Sequence, residues 1–292
     1  MRNPDSLTQK TNEDTSQGLA FAVGAYFLWG FLPLYMKLVS HMSAAEVVAH
    51  RIIWSLPIAA IVLIVLRRTS DLRDALKSPR TMGMACVTAA LISINWGIYV
   101  WAISSGHALD AALGYYINPL FSIFLGAVLL GERLSRAQLA AIALAAGAVL
   151  VLTFDAGRIP WAALGLMFSW GFYALAKKSL PIGPNQGFLL EVLTTTGQSH
   201  FAVGVGLDTW LLIGSGAVTA IPLMIYANGA KLLRLSTIGI LQYITPTMIF
   251  FIAVFVFDEP FGRARMIAFP MIWVALVIYS TSMLRQIRVK VG

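Results

Sequence analysis

Ten stretches of this 292-residue chain are apolar enough to leave water, and their lengths leave little choice of fold. A hydrocarbon layer about 30 Å thick is crossed by roughly twenty apolar residues in a helix. Runs of that kind fall at 18–39, 46–66, 82–103, 109–130 and 137–154, then at 161–178, 210–230, 235–257 and 264–284. A weaker run at 188–206 completes the set. Inside lipid, backbone groups are satisfied only in helices or closed barrels, and segments of this length select helices. Only 12% of residues are charged, about half the share in a soluble domain, so an aqueous fold is excluded.

The cations give the orientation. With the N-terminus cytoplasmic, sixteen Lys and Arg fall on that side, against Arg158, Arg263 and Arg265 on the other. Were 188–206 not to cross, every later segment would turn over and the bias would shrink to thirteen against six. The sequence therefore predicts an all-α integral membrane protein of ten transmembrane helices with both termini inside. Clustering of the cations between apolar runs also accounts for the net charge of +8, and nucleic acid is excluded as a partner. Residues 1–17 are polar and lack the order of a cleaved signal, so they read as a disordered cytoplasmic tail, as 286–292 read as a second tail. The lone Cys86 lies in an apolar run and offers neither a disulfide nor a metal site.

One phrase occurs twice. Tyr116-Ile117-Asn118-Pro119 leads after eleven mostly apolar residues to Gly131-Glu132, and 127 positions later Tyr243-Ile244-Thr245-Pro246 leads to Asp258-Glu259. Phe27-Leu28-Trp29-Gly30-Phe31 is echoed by Phe168-Ser169-Trp170-Gly171-Phe172, Lys37 by Lys178, and Tyr99 by Tyr226. Each copy holds five segments, an odd number, so the unit at 155–285 is predicted to run inverted against the unit at 18–154. Inverted repeats mark secondary transporters that bind substrate between the halves. The copies are unequal: Trp29 to Tyr99 spans 70 positions, Trp170 to Tyr226 only 56. The missing 14 fall on a shortened segment seven, where Glu191, Gln198 and His200 would be costly against lipid. That segment is either sheltered among its neighbours or lies partly in the interface.

Several side chains look functional. Glu46, His50 and Trp54 share one helical face by their spacing, with Arg51 beside them. Ionisable groups within a membrane segment suit binding of a substrate carboxylate, or a proton relay through His50. The bland alternative has Arg51 snorkelling to the headgroups while Glu46 caps the helix. Asn95, Trp96 and Tyr99 in segment three and Tyr115, Tyr116 and Asn118 in segment four add polar and aromatic groups. Pro119 and Pro246 lack an N–H for the carbonyls of Tyr115 and Gln242, so each is expected to kink its helix. Two kinked helices meeting across a pseudo-twofold axis would wall a cavity, with Asn118, Gln242 and Tyr243 available to substrate. Trp29, Trp54, Trp96 and Trp170 offer flat faces, whereas Trp101 near its helix end reads as an interfacial anchor. Glu132 and Glu259 sit where a helix dipole disfavours carboxylates, which predicts a tertiary partner, either a helix N-terminus or an arginine such as Arg133. No Walker loop, HExxH or GxSxG appears, so neither an enzyme, nor a cofactor, nor a metal is expected.

Taken together, Ala49-His50-Arg51-Ile52-Ile53-Trp54-Ser55, Leu113-Gly114-Tyr115-Tyr116-Ile117-Asn118-Pro119-Leu120 with Leu130-Gly131-Glu132-Arg133, and Leu233 through Thr237 with Gln242-Tyr243-Ile244-Thr245-Pro246-Thr247 resemble the RarD branch of the EamA-type drug/metabolite transporters. The resemblance covers roughly 18–285. It implies ten helices in two inverted five-helix repeats, a bacterial inner-membrane location and transport of small molecules; the branch name is linked to chloramphenicol sensitivity. The expectation is a secondary transporter exporting a small amphipathic metabolite or drug by alternating access, with protons as a candidate coupling ion. The alternative is a non-transporting membrane sensor or assembly protein derived from a transporter, motivated by the shortened segment seven.

Overall fold

The computed structural model describes residues 15–65, 77–130, 134–178, 206–230, 232–233 and 235–291. These form α1 (Ser16–Gly30), α2 (Leu32–Leu38), α3 (Ala44–Val65), α4 (Pro79–Ser104), α5 (Ala108–Leu130), α6 (Arg136–Ala156), α7 (Trp161–Lys178), α8 (Leu207–Ala230), α9 (Leu235–Leu241), α10 (Ile244–Phe255) and α11 (Arg263–Val291). No strand occurs among the described residues. Among the described residues, seven spans are long and apolar enough to cross a membrane: Ser16–Leu38, Ala44–Val62, Pro79–Ser104, Ala108–Leu129, Arg136–Ala156, Leu207–Tyr226 and Arg263–Ser282. The expected segments at 161–178 and 235–257 are present as α7 and as the α9–α10 pair. Glu132 and residues 1–14 of the expected tail at 1–17 lie outside the described residues, as does segment seven up to residue 205, while Ser16 and Gln17 already belong to α1.

Local chemistry fixes several helix ends. Thr15, Ser78 and Ser135 each accept a hydrogen bond from a backbone N–H in the first turn of α1, α4 and α6, and Ser135 forms a full capping box with Gln138. Gly157 closes α6 in the left-handed region at φ +61, where a side chain would be strained. Pro33 lacks the N–H needed to continue α1 past Gly30, so the first run is broken at Phe31 and resumes as α2.

The two prolines of the doubled phrase behave differently. Pro119 sits inside the continuous α5, whereas Pro246 sits in the first turn of α10, after the run has broken at Gln242 and Tyr243. A proline is tolerated in a first turn because its missing N–H has no intrahelical acceptor to lose.

The helices pack in matching pairs. α1 lies against α8 as α7 lies against α4, and α5 lies against α7 as α10 lies against α1; α6 also packs on α11, α5 on α10, and α3 on α8 and α4. The small residues of the echoed Trp-Gly pairs make two of these contacts close. A Cβ on Gly30 would strike the Met248 side chain, and one on Gly171 would strike the Phe121 ring. Met248 lies 127 positions after Phe121, the same offset that separates the two copies of the proline phrase. The α3–α8 crossing is closer still, since a Cβ on Gly216 would run into the backbone of Trp54.

Candidate functional site

Arg51 lies about two turns into α3 and is only 3% exposed. Its Nε donates to Thr219 Oγ1 on α8 at 3.0 Å. The Thr219 hydroxyl in turn donates to the carbonyl of Ser215 at 2.8 Å, which leaves its lone pairs for the guanidinium. Trp96 of α4 presents its ring to the cation, with the guanidinium carbon 4.7 Å from the ring centre. The hydroxyls of Tyr35, Tyr99 and Tyr115 act electrostatically on Arg51, and no carboxylate does so among the described residues. The expectation that Arg51 snorkels to the headgroups is therefore corrected: neighbours from α2, α4, α5 and α8 enclose it.

A polar floor continues from this point. Tyr115 donates to Asn95 Oδ1 at 3.2 Å, and Asn95 Nδ2 donates to the carbonyl of Leu166 at 3.1 Å and to Ser169 Oγ at 2.9 Å. The Tyr115 ring lies 5.9 Å from Tyr99 and 6.4 Å, edge-on, from Trp170. Five of the sequence candidates, Arg51, Asn95, Trp96, Tyr99 and Trp170, thus meet in one region. Two groups there have no hydrogen-bond partner, Arg51 Nη1 and the Tyr99 hydroxyl, and both are buried.

His50 and Trp54 bear out the shared face, because Trp54 Nε1 donates to His50 Nδ1 at 3.2 Å. With Nδ1 accepting, a neutral His50 carries its proton on Nε2. At the start of α3 the Ser43 hydroxyl accepts from the Glu46 N–H at 3.2 Å, while Glu46 is buried in the first turn and acts electrostatically on His50.

The remaining candidates fall in two other places. Tyr116 shares a 2.8 Å hydrogen bond with Thr247 and sits edge-on to Phe269 and Trp273, which joins α5 to α10 and α11. Asn118 and Pro246 are buried, and Asn118 Oδ1 and the Tyr243 hydroxyl find no partner. Gln242 and Tyr243 occupy the break between α9 and α10. Trp29 belongs to a separate aromatic cluster with Tyr26 and Tyr226, at 5.6 and 5.4 Å. A groove lined by Arg80, Gly83, Met84, Val87 and Ala176 ends about two turns before Asn95 along α4 and holds none of these side chains.

Thr219, Tyr35 and Ser169 had no distinguishing signal in the sequence. Each is one hydroxyl in an apolar run, and only the helix crossings bring them to Arg51 and Asn95.

The carboxylate of Glu259 has the kind of partner its position demanded. Asp258 takes the left-handed conformation at φ +50, and Glu259 then accepts from the N–H groups of Ala108 and Leu109 at 2.6 and 2.9 Å. It caps α5, so its charge meets the positive end of that helix rather than the negative end of its own. Arg265 adds a 3.3 Å ion pair to Asp110 in the same turn of α5. His41 pairs with Asp208 at 3.1 Å between the starts of α3 and α8, and the Lys37 ammonium lies 5.3 Å from the Phe257 ring. Trp101 packs 4.4 Å from Trp161 and stacks on His107.

Residues 16–154 match the EamA-like transporter family. Protein RarD of Streptomyces exfoliatus is 41% identical, over 96% of this chain and 93% of its own length. Protein RarD of Escherichia coli (strain K12) is 39% identical over 91% and 95%. An uncharacterized transporter of Bacillus subtilis (strain 168), YojE, is 39% identical over 93% and 96%. A solved crystal structure with 20% identity shares the fold, with a TM-score of 0.59 over 93% of this chain and 99% of that one.

Proposed function

The chain belongs to the RarD branch of the EamA-like transporter family, and on that premise we propose that it is a secondary transporter exporting a small amphipathic metabolite or drug by alternating access. It is a multi-pass membrane protein of a family whose bacterial relatives carry transporter names. The observation that carries the reading is the enclosed cluster of Arg51, Trp96, Tyr99 and Asn95, built where helices of both halves meet. Six helices contribute to it, α2, α3, α4 and α5 from the first half and α7 and α8 from the second. A site shared between halves changes shape when the halves rock against each other, as alternating access requires.

Ten crossings in two inverted repeats, with both termini cytoplasmic in a bacterial inner membrane, are the finer part of the proposal. The matching helix contacts support it, as do the two glycine seats at Gly30 and Gly171. So does the cation asymmetry of the loops. His50 and its hydrogen-bonded Trp54 are the candidates for a proton step, and Asn118 of the first half with Gln242 and Tyr243 of the second are the further candidates for contact with substrate. The wording chloramphenicol-sensitive attached to a relative of Pseudomonas aeruginosa, 27% identical, puts chloramphenicol among the compounds to be tried.

Export is tested in cells lacking their own RarD-type proteins. Cells are loaded with labelled chloramphenicol or labelled amino acids and followed with and without this chain. Faster efflux of a compound in the presence of the chain supports export; identical efflux for every compound removes it.

A further inference from the structure

We propose that the Arg51 cluster is an anion-recognition site, and that the transported molecule carries a carboxylate beside a flat or apolar body. This rests on the transporter reading and adds to it the chemical class of the substrate.

A cation taken out of water into a protein interior within lipid needs compensation for its lost hydration. The guanidinium has one ring face and one hydrogen bond to a neutral hydroxyl. These contacts position the cation without neutralising it. The charge is left without a counter-ion among the described residues, and so is one fork of the guanidinium, Nη1. Nearby, the Tyr99 hydroxyl is also buried with nothing to bond. Two donors, one of them charged, with no acceptor between them are matched by the two oxygens of a carboxylate.

The surroundings narrow the class. Trp96 lies on the guanidinium and Tyr99 and Tyr115 interact with its charge, so an anion bound at Arg51 has aromatic residues around it, which favour a flat or apolar body over a second charged group. A phosphate dianion would bring two charges to a single cation and would leave one of them buried without compensation. A carboxylate leaves the site neutral.

The test uses the full chain in lipid nanodiscs and matched probes. Hydrocinnamate, hexanoate and indoleacetate are each paired with their own primary amide, which keeps the shape and removes the charge, and binding is measured calorimetrically. At least one carboxylate is expected to bind about tenfold or more tighter than its amide, the equivalent of one charge-assisted hydrogen bond. Arg51→Gln is expected to erase that difference and Arg51→Lys to retain part of it. If no carboxylate outbinds its amide, or if the preference survives in Arg51→Gln, the anion site is wrong. The wild-type comparison decides on its own should Arg51→Gln fail to fold. Arg51-dependent carboxylate binding with no flux across proteoliposomes would keep this site and remove transport. Flux that treats carboxylate and amide alike would keep transport and remove this site.

Discussion

The guanidinium of Arg51, on α3, lies 4.7 Å from the centre of the Trp96 ring, on α4. A stacked and hydrogen-bonded arginine is held in one place, and exchange for lysine gives up both the ring face and the directed Nε–H bond. The site is therefore pre-organised by the packing of α3 against α4 and α8, and its chemistry is sensitive to residues that never touch a ligand.

Thr219 is such a residue. Thr219→Val keeps the shape and removes the acceptor for Arg51 Nε. A charged donor left unsatisfied in a buried site costs about 1–3 kcal/mol, so the variant is expected to unfold at a lower temperature in detergent and to bind its ligand several-fold more weakly. Unchanged thermal unfolding and binding would show that this hydrogen bond contributes nothing.

Glu259 is expected to matter for stability through α5. Glu259→Ala removes an acceptor from two N–H groups at a helix start, and the loss of such a cap is about 1–2 kcal/mol. Glu259→Gln keeps one acceptor without the charge and should fall between wild type and alanine. Equal thermal midpoints for all three proteins would contradict the capping role.

Gly30 and Gly171 should respond alike if the halves are two copies of one unit. Leucine at either position overlaps a packed side chain, Met248 or Phe121, and overpacking of this kind costs about 1–3 kcal/mol or more. Fluorescence-detected size exclusion is expected to show a reduced monodisperse peak for both variants. A defect at one and none at the other would argue against equivalent packing.

Orientation is checked with single cysteines in a Cys86→Ser background. Gly157→Cys and Gly206→Cys are expected to react with an impermeant maleimide added outside intact cells, and Lys77→Cys only after permeabilisation. Gly206 is the sensitive position. If residues 188–206 did not cross, it would be protected, and the ten-helix arrangement would fail.

Much of the site was legible because intramembrane polar and aromatic residues are rare enough to stand out. Arg51, Asn95, Trp96 and Tyr99 declared themselves as costly or conspicuous groups inside apolar runs. The partner of Glu259 was legible in kind, since a carboxylate at a helix end must find positive charge, but not in identity: Ala108 and Leu109 contribute only backbone. What could not be read was the register of one helix against another. That register puts Thr219 under Arg51, sets Ser169 on Asn95 and separates Trp29 from both. The break at Phe31 had a local sign in Pro33, whereas Pro119 and Pro246 carry the same local sign and only one of them accompanies a break. Proline removes a donor in every context, and tertiary packing decides whether the helix parts there.

Counterflow in proteoliposomes tests the central claim most directly. Vesicles containing the purified chain are loaded with an unlabelled compound, drawn from amino acids, chloramphenicol and the carboxylates that bind, and diluted into a trace of the same labelled compound. A transient overshoot of label is expected for at least one carboxylate, absent from protein-free vesicles and reduced about tenfold or more in Arg51→Gln. No overshoot with any compound, including those that bind the purified protein, would contradict the account.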